Sequence, residues 1–160
     1  MPGGGVFGNY VGRIERRQFV PRPRSEVFAF FSDAANLESL TPEFLAFHIL
    51  TPRPIAMRPG TLIDYELKLF GIRFHWQTLI EQFEPESRFV DVQLTGPYRR
   101  WHHEHRFEEA QGGTWVSDHV DYEMPWGPLG RIAHALAVRR SLKQIFDFRA
   151  AKMGELFGAD

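Results

Sequence analysis

The hydrophobic pattern of this chain changes period once, and that change limits the folds open to it. Up to Met124, apolar side chains recur at every second position in segment after segment, the spacing of half-buried strands. Beyond Pro125 they recur every three to four residues, the spacing of an amphipathic helix. Leu129, Ile132, Leu136, Phe146, Met153 and Phe157 form one stripe across Pro128 to Phe157. At about 1.5 Å per residue such a helix is roughly 40 Å long. A stripe of that length needs a broad apolar surface, and the preceding strands supply it.

VGRIERRQFV, Val11 to Val20, reads as the first strand. Two prolines then break the chain, Ser25 is a candidate helix cap, and Glu26 to Ser32 forms a short apolar helix through Val27, Phe28, Phe30 and Phe31. Asp33 or Asn36 starts a second short turn, which ends before Thr41-Pro42. Six further strands follow: Phe44 to Leu50, Thr61 to Phe70, Ile72 to Phe83, Arg88 to Leu94, Tyr98 to Glu109 and Thr114 to Met124. Turn signals at Gly71, Pro85-Glu86-Ser87, Thr95-Gly96-Pro97 and Gly112-Gly113 favour an antiparallel meander. The expected fold is therefore α+β, a seven-stranded antiparallel curved sheet wrapped around a long C-terminal helix, with two short helices between strands 1 and 2. Residues 11–160 make one domain behind a glycine-rich, flexible lead-in at 1–10, from which Phe7 and Tyr10 can dock onto the body.

Composition removes several function classes. With 19 Lys and Arg against 20 Asp and Glu, the net charge of −1 gives no field for a phosphate backbone, so no nucleic acid partner is expected. Cysteine is absent, which rules out disulfides, a thiolate nucleophile and a Cys-ligated metal. No apolar run approaches the roughly 18 residues of a membrane-spanning helix, and the start lacks the pattern of a secretory leader. A soluble, cytoplasmic protein without stable membrane insertion is expected, its oligomeric state left open.

The chemistry concentrates in YRRWHHEHRFEE, Tyr98 to Glu109. Alternation along a strand puts Trp101, His103, His105 and Phe107 on one face, a mixture foreign to a plain core. A two-residue turn at Gly112-Gly113 sets His105 opposite Val120, whereas a four-residue loop sets it opposite Asp118. Either way Asp118 and Tyr122 share the face, and His105 reaches the Asp118 carboxylate directly or diagonally. Tyr65 on the third strand, with Phe74 and Trp76 on the fourth, line the same concavity. On the fifth strand a three-residue turn brings Asp91 and Gln93 inward, and a two- or four-residue turn brings Val90, Val92 and Leu94. The first is preferred, because the histidines otherwise have few polar partners. His102 turns to the opposite, solvated face with Arg100, Glu104 and Arg106.

Three accounts of His103, His105 and Asp118 stand side by side. They are a satisfied network that fixes strand register, anchors for the polar end of an apolar ligand, or an acid/base pair of His105 with Asp118. A His-x-His strand near an acid also suits zinc, but the preferred reading includes no metal and no cofactor. The cationic groups Arg13, Arg16, Arg17, Arg22, Arg24 and Arg139, Arg140, Lys143 read as solvated faces, or as attraction for an anionic head or membrane surface.

The order of elements, the opening VPRPRSEVFAFFSD and the phrase RFVDVQLTGPYRRWHHEHRFEE resemble the START-like, helix-grip superfamily. More narrowly, the chain resembles the bacterial SRPBCC group of polyketide cyclase/dehydrase and lipid-transport-like proteins, over about Arg13 to Phe157. That resemblance implies a cavity between sheet and helix for a hydrophobic small molecule or lipid, and no single reaction. The resulting expectation is a binding module for such a ligand with a polar end, held by Tyr65, Phe74, Trp76, Asp91, Gln93, Trp101, His103, His105, Asp118 and Tyr122. A cyclase/dehydratase-type enzyme using His105 with Asp118 is the alternative, and a partner-binding module built on the lead-in and cationic helix is a third.

Overall fold

Alternating apolar side chains demand a sheet with one dry face, and the computed structural model, described over residues 11–125, 127–133 and 137–158, contains one. Its strands are β1 (Val11–Val20), β2 (His48–Ile49), β3 (Leu62–Leu69), β4 (Ile72–Glu84), β5 (Arg88–Thr95), β6 (Arg100–Ala110) and β7 (Gly113–Glu123). They form one seven-stranded antiparallel sheet in the order β1-β7-β6-β5-β4-β3-β2. β2 to β7 make the meander, while β1 pairs with the last strand, so the chain must cross from one edge to the other after Val20. Helix α1 (Arg24–Phe31) and two 3-10 turns, Ala34–Leu40 and Glu43–Leu45, make that crossing.

Two register shifts bend the sheet between β4 and β5, at Gln77/Thr78 and Ile80/Gln82. An extra residue on one strand kinks it and increases its twist. Helix α3 (Arg139–Phe157) lies in the resulting hollow and buries Leu142, Phe146, Met153 and Phe157. Gly158 stops it in the left-handed conformation, φ 70°, with its N–H donating to Gly154 O at 2.8 Å. Two contacts tie α3 to β1: Arg16 Nη1 to Asp147 Oδ1 at 2.8 Å, and Gln18 Nε2 donating to Ala150 O at 3.0 Å.

The core beneath α3 divides in two. One cluster gathers Trp76, Trp101, Val120, Tyr122 and Phe146; the other gathers Phe28, Phe89, Phe107, Val116 and Met153. The residues between them in sequence are polar: His103 and His105 on β6, Asp118 on β7 and Arg149 on α3. A polar belt thus separates two apolar clusters.

Four expectations need correction. The run Phe44 to Leu50 is not a strand beyond His48–Ile49: Glu43–Leu45 is a 3-10 turn, Ala46 is left-handed at φ 45° and Phe44 is 56% exposed. A short apolar run has no period to separate strand from turn. Ser25 does not cap α1, because the helix starts at Arg24 with Pro23 at the cap position. Leu129 and Ile132 do not extend the buried stripe: they lie in α2 (Gly127–Ala133) and are 71% and 57% exposed, whereas the buried side chains belong to α3. Their phase belongs to α2 and does not continue the buried face of α3. The β6–β7 turn is Gln111-Gly112, one residue earlier than expected, and this two-residue turn sets His105 opposite Asp118. Leu136, and the lead-in with Phe7 and Tyr10, lie outside the described residues.

Candidate functional site

Trp101, His103, His105 and Phe107 do share the buried face of β6, since β-sheet geometry leaves alternate residues no other choice. Asp91 comes inward opposite His103, with Phe89 opposite His105: the inward face is the one expected of a three-residue turn, but four residues, 96–99, separate the strands and the pairing is two residues further along β6. Asp118 stands across from His105 on β7. The imidazoles stack on each other at 3.7 Å between centroids, and the Phe89 ring covers His105 at 4.2 Å.

The hydrogen bonds are shared unevenly. His103 Nε2 lies 2.8 Å from Asp118 Oδ1, and His105 Nε2 lies 2.6 Å from Asp91 Oδ2. His105 Nδ1 is 3.3 Å from both Asp118 Oδ1 and Arg149 Nη2, and that guanidinium nitrogen is also 3.3 Å from Asp118 Oδ1. His103 Nδ1 has no hydrogen-bond partner among the described residues; Asp91 Oδ2, at 3.8 Å, is too far away.

Burial opposes charge on Asp91, His103, His105 and Asp118, and partners decide each outcome. For His105 burial favours the neutral ring, but the Asp118 and Asp91 carboxylates outweigh it and raise its pKa. For His103 burial and the neighbouring His105 charge prevail over Asp91 and Asp118, and its pKa falls. Burial resists ionisation of Asp118, yet the Arg149 charge and the two histidines hold its carboxyl well below the usual range. Asp91 is likewise held low against burial, by His103 and His105. Both carboxylates are thus held ionised, while the partners push His105 toward its protonated form and His103 toward its neutral one. His103 is then neutral, with Nε2–H donating to Asp118 and a bare lone pair on Nδ1.

A cavity of about 190 Å³ opens beside this belt under α3. Tyr65, Trp76, Trp101, Leu142 and Phe146 contribute apolar wall, while Asp91, His103, His105 and Arg149 make its polar end. Thr78, buried on β4, accepts a hydrogen bond from Trp76 Nε1 at 3.0 Å and pairs with the Tyr65 hydroxyl at 3.0 Å, so these aromatic tips are satisfied within the wall. Burial pushes the Tyr65 and Tyr98 phenols up, and both stay protonated.

Of the residues singled out from sequence, Tyr65, Trp76, Asp91, Trp101, His103 and His105 line this cavity. Four stand off it. Phe74 pairs with Leu67 nearer the β3–β4 turn. Gln93 braces the β5–β6 loop, donating from Nε2 to Tyr98 O at 2.7 Å and accepting from Tyr98 N at 3.2 Å. Asp118 lies behind the histidines, beside a second groove between β1 and α3. Tyr122 packs on Tyr98 and Trp101 and covers Gly12, where a Cβ would stand 2.1 Å from its ring.

Sequence reasoning missed Arg149 and Tyr98. The signal for Arg149 was present: it occupies the stripe 142, 146, 149, 153, where a cation interrupts an apolar face. Much of the cationic sequence is spent on surface pairs, Arg13 with Asp121 at 2.9 Å and Lys143 with Asp147 at 2.6 Å among them. No helix among the described residues is long and apolar enough to cross a membrane.

Comparison with known proteins agrees with this architecture. The family model described as polyketide cyclase/dehydrase and lipid transport matches residues 20–149. Among solved structures, protein CV1439 from Chromobacterium violaceum is similar at 15% identity and a TM-score of 0.70, covering 93% of this chain and 99% of its own. Protein TTHA0849 from Thermus thermophilus is similar at 19% identity and a TM-score of 0.68, covering 91% and 95%. A nucleoside-diphosphate sugar epimerase from Corynebacterium glutamicum is similar at 25% identity and a TM-score of 0.61, covering 89% of this chain but 28% of its own. No curated protein matches in sequence.

Proposed function

Because the chain belongs to the polyketide cyclase/dehydrase and lipid transport family, we propose that it captures a compact hydrophobic molecule, or the end of a lipid, that carries one polar head. The supporting observation is the cavity under α3, whose mostly apolar lining brings together the buried groups Asp91, His103, His105 and Arg149; its other polar lining residues are Asp33, Asn36, Thr41 and Thr78. Ligand carbon leaving water contributes about 25 cal/mol per Å² of apolar surface, and the polar end selects orientation. His103 Nδ1 is the free acceptor there, so the head is a hydrogen-bond donor such as a phenol or an enol hydroxyl.

Trp76 and Trp101 both line the cavity and report on its filling. The test is a tryptophan fluorescence titration with paired apolar compounds that differ only in a hydroxyl group. The hydroxylated member is expected to quench saturably and at least ~5-fold more tightly, since a buried hydrogen bond contributes about 1 kcal/mol or more. His103→Ala should abolish that preference. Equal affinity for both members removes the anchoring role, and no quenching by any compound removes ligand capture.

A second reading is favoured by one contact. Both nitrogens of His105 are engaged, Nε2 by Asp91 at 2.6 Å and Nδ1 by Asp118 and Arg149 at 3.3 Å, whereas His103 is held at Nε2 alone, by Asp118 at 2.8 Å, so this reading takes His103 as its base rather than His105. In a cyclase/dehydratase-type reaction His103 Nδ1 would take the substrate proton, while Asp118 holds the ring. Turnover that persists in His103→Gln rejects this reading.

A further inference from the structure

We propose that Asp91, His103 and His105 also form a site for one divalent first-row transition metal ion at the polar end of the cavity. Each offers one donor atom, and the three donors lie within 4.8 Å of one another. Asp91 Oδ2 is 2.6 Å from His105 Nε2 and 3.8 Å from His103 Nδ1. Bonds of about 2.0–2.2 Å to a common ion separate such donors by about 3–4 Å, depending on the angle. The Asp91–His105 contact therefore opens by about half an ångström as the ion enters, and the rings tilt out of their stack. Two imidazoles and one carboxylate are donors of borderline softness, suited to zinc, ferrous iron or cobalt rather than calcium or magnesium.

The surroundings of the donors carry the argument further than their spacing. A histidine bound to a metal is held by a carboxylate or carbonyl on its other nitrogen. Here the leftover nitrogens of both rings meet one carboxylate oxygen: His103 Nε2 at 2.8 Å and His105 Nδ1 at 3.3 Å from Asp118 Oδ1. Asp118 is fixed in turn by Arg149 Nη2 at 3.3 Å. Asp91, His103 and His105 line the cavity while Asp118 does not, which leaves the remaining coordination positions toward the space a ligand would fill. With both rings neutral, Asp91 and Asp118 against Arg149 leave one buried negative charge. A divalent ion turns this into one positive charge, which an anionic oxygen cancels. The ligand class that fits an occupied site is accordingly a phenolate, enolate or carboxylate on an apolar body.

This inference goes beyond ligand capture, which needs no ion, and the two fail separately. The experiment uses the full chain, free of any affinity tag and stripped with chelator, titrated with Zn²⁺ by calorimetry and with Co²⁺ by visible absorption. One ion per chain is expected, with a cobalt ligand-field band. Asp91→Asn and His105→Gln should each weaken binding at least ~100-fold, and Asp118→Asn, which touches the ligands and not the ion, about 10–100-fold. His75→Ala, on the exposed pair with Asp64, should change nothing. Circular dichroism must show each variant folded, and a variant that fails is replaced by His103→Gln at the same site. Absence of stoichiometric uptake, wild-type affinity in His105→Gln, or loss in His75→Ala overturns the site. Tryptophan quenching repeated in chelator tests ligand capture independently.

Discussion

His103 and His105 are neighbours on one strand face, yet their partners push them in opposite directions, and this gives a signed expectation. His105 has a raised pKa in the fold, so its stabilisation is fully present below the unfolded value near 6.5 and is lost as pH rises through the folded one. His103 has a lowered pKa, so its contribution is present above about 6.5 and is lost as pH falls through the folded value. Denaturant midpoints between pH 5 and 9, taken in chelator, should show His105→Gln losing the fall toward high pH and His103→Gln losing the fall toward low pH. The same sign in both variants contradicts the assignment. Asp118→Ala should cost about 3–5 kcal/mol in urea unfolding near neutral pH, because it leaves the Arg149 charge buried without its partner. Strand alternation made the inward histidines legible, and Asp91 was found by asking what a buried imidazole needs. Which imidazole Asp118 favours was not legible, because sub-ångström ring placement decides it.

Among elements, α3 serves the two core clusters in different ways. Met153 is buried with Phe28 and Phe107 away from the cavity, whereas Phe146 forms part of the cavity wall. Met153→Ala is expected to cost about 2–5 kcal/mol in thermal or urea unfolding and to leave ligand range unchanged. Phe146→Ala should instead admit larger ligands in the quenching assay. If both variants merely destabilise, the wall role of Phe146 is wrong. Period-2 patterning located β1 and β3 to β7 closely, because each strand buries one face and a slip would expose it. It failed at Phe44 to Leu50, where Leu45 and Ile49 are buried but Phe44 and Leu50 are exposed, and at Leu129 and Ile132, which are both exposed.

At the scale of the molecule, a bent antiparallel sheet closes on one helix, and the space left between them reaches the buried ionisable groups Asp91, His103, His105 and Arg149, with Asp118 behind them. The outline of that arrangement could be read from element order alone. The cavity could not, since its volume depends on how far the β4–β5 register shifts bend the sheet and on which side chains of α3 turn inward. The central claim is that the cavity takes an apolar molecule by its polar head, and native mass spectrometry of freshly purified protein incubated with hydroxylated apolar compounds tests it most directly. A one-to-one adduct that dissociates on unfolding and is depleted in His103→Ala is the expected result. A chain that stays bare, or an adduct equally abundant in His103→Ala, contradicts it.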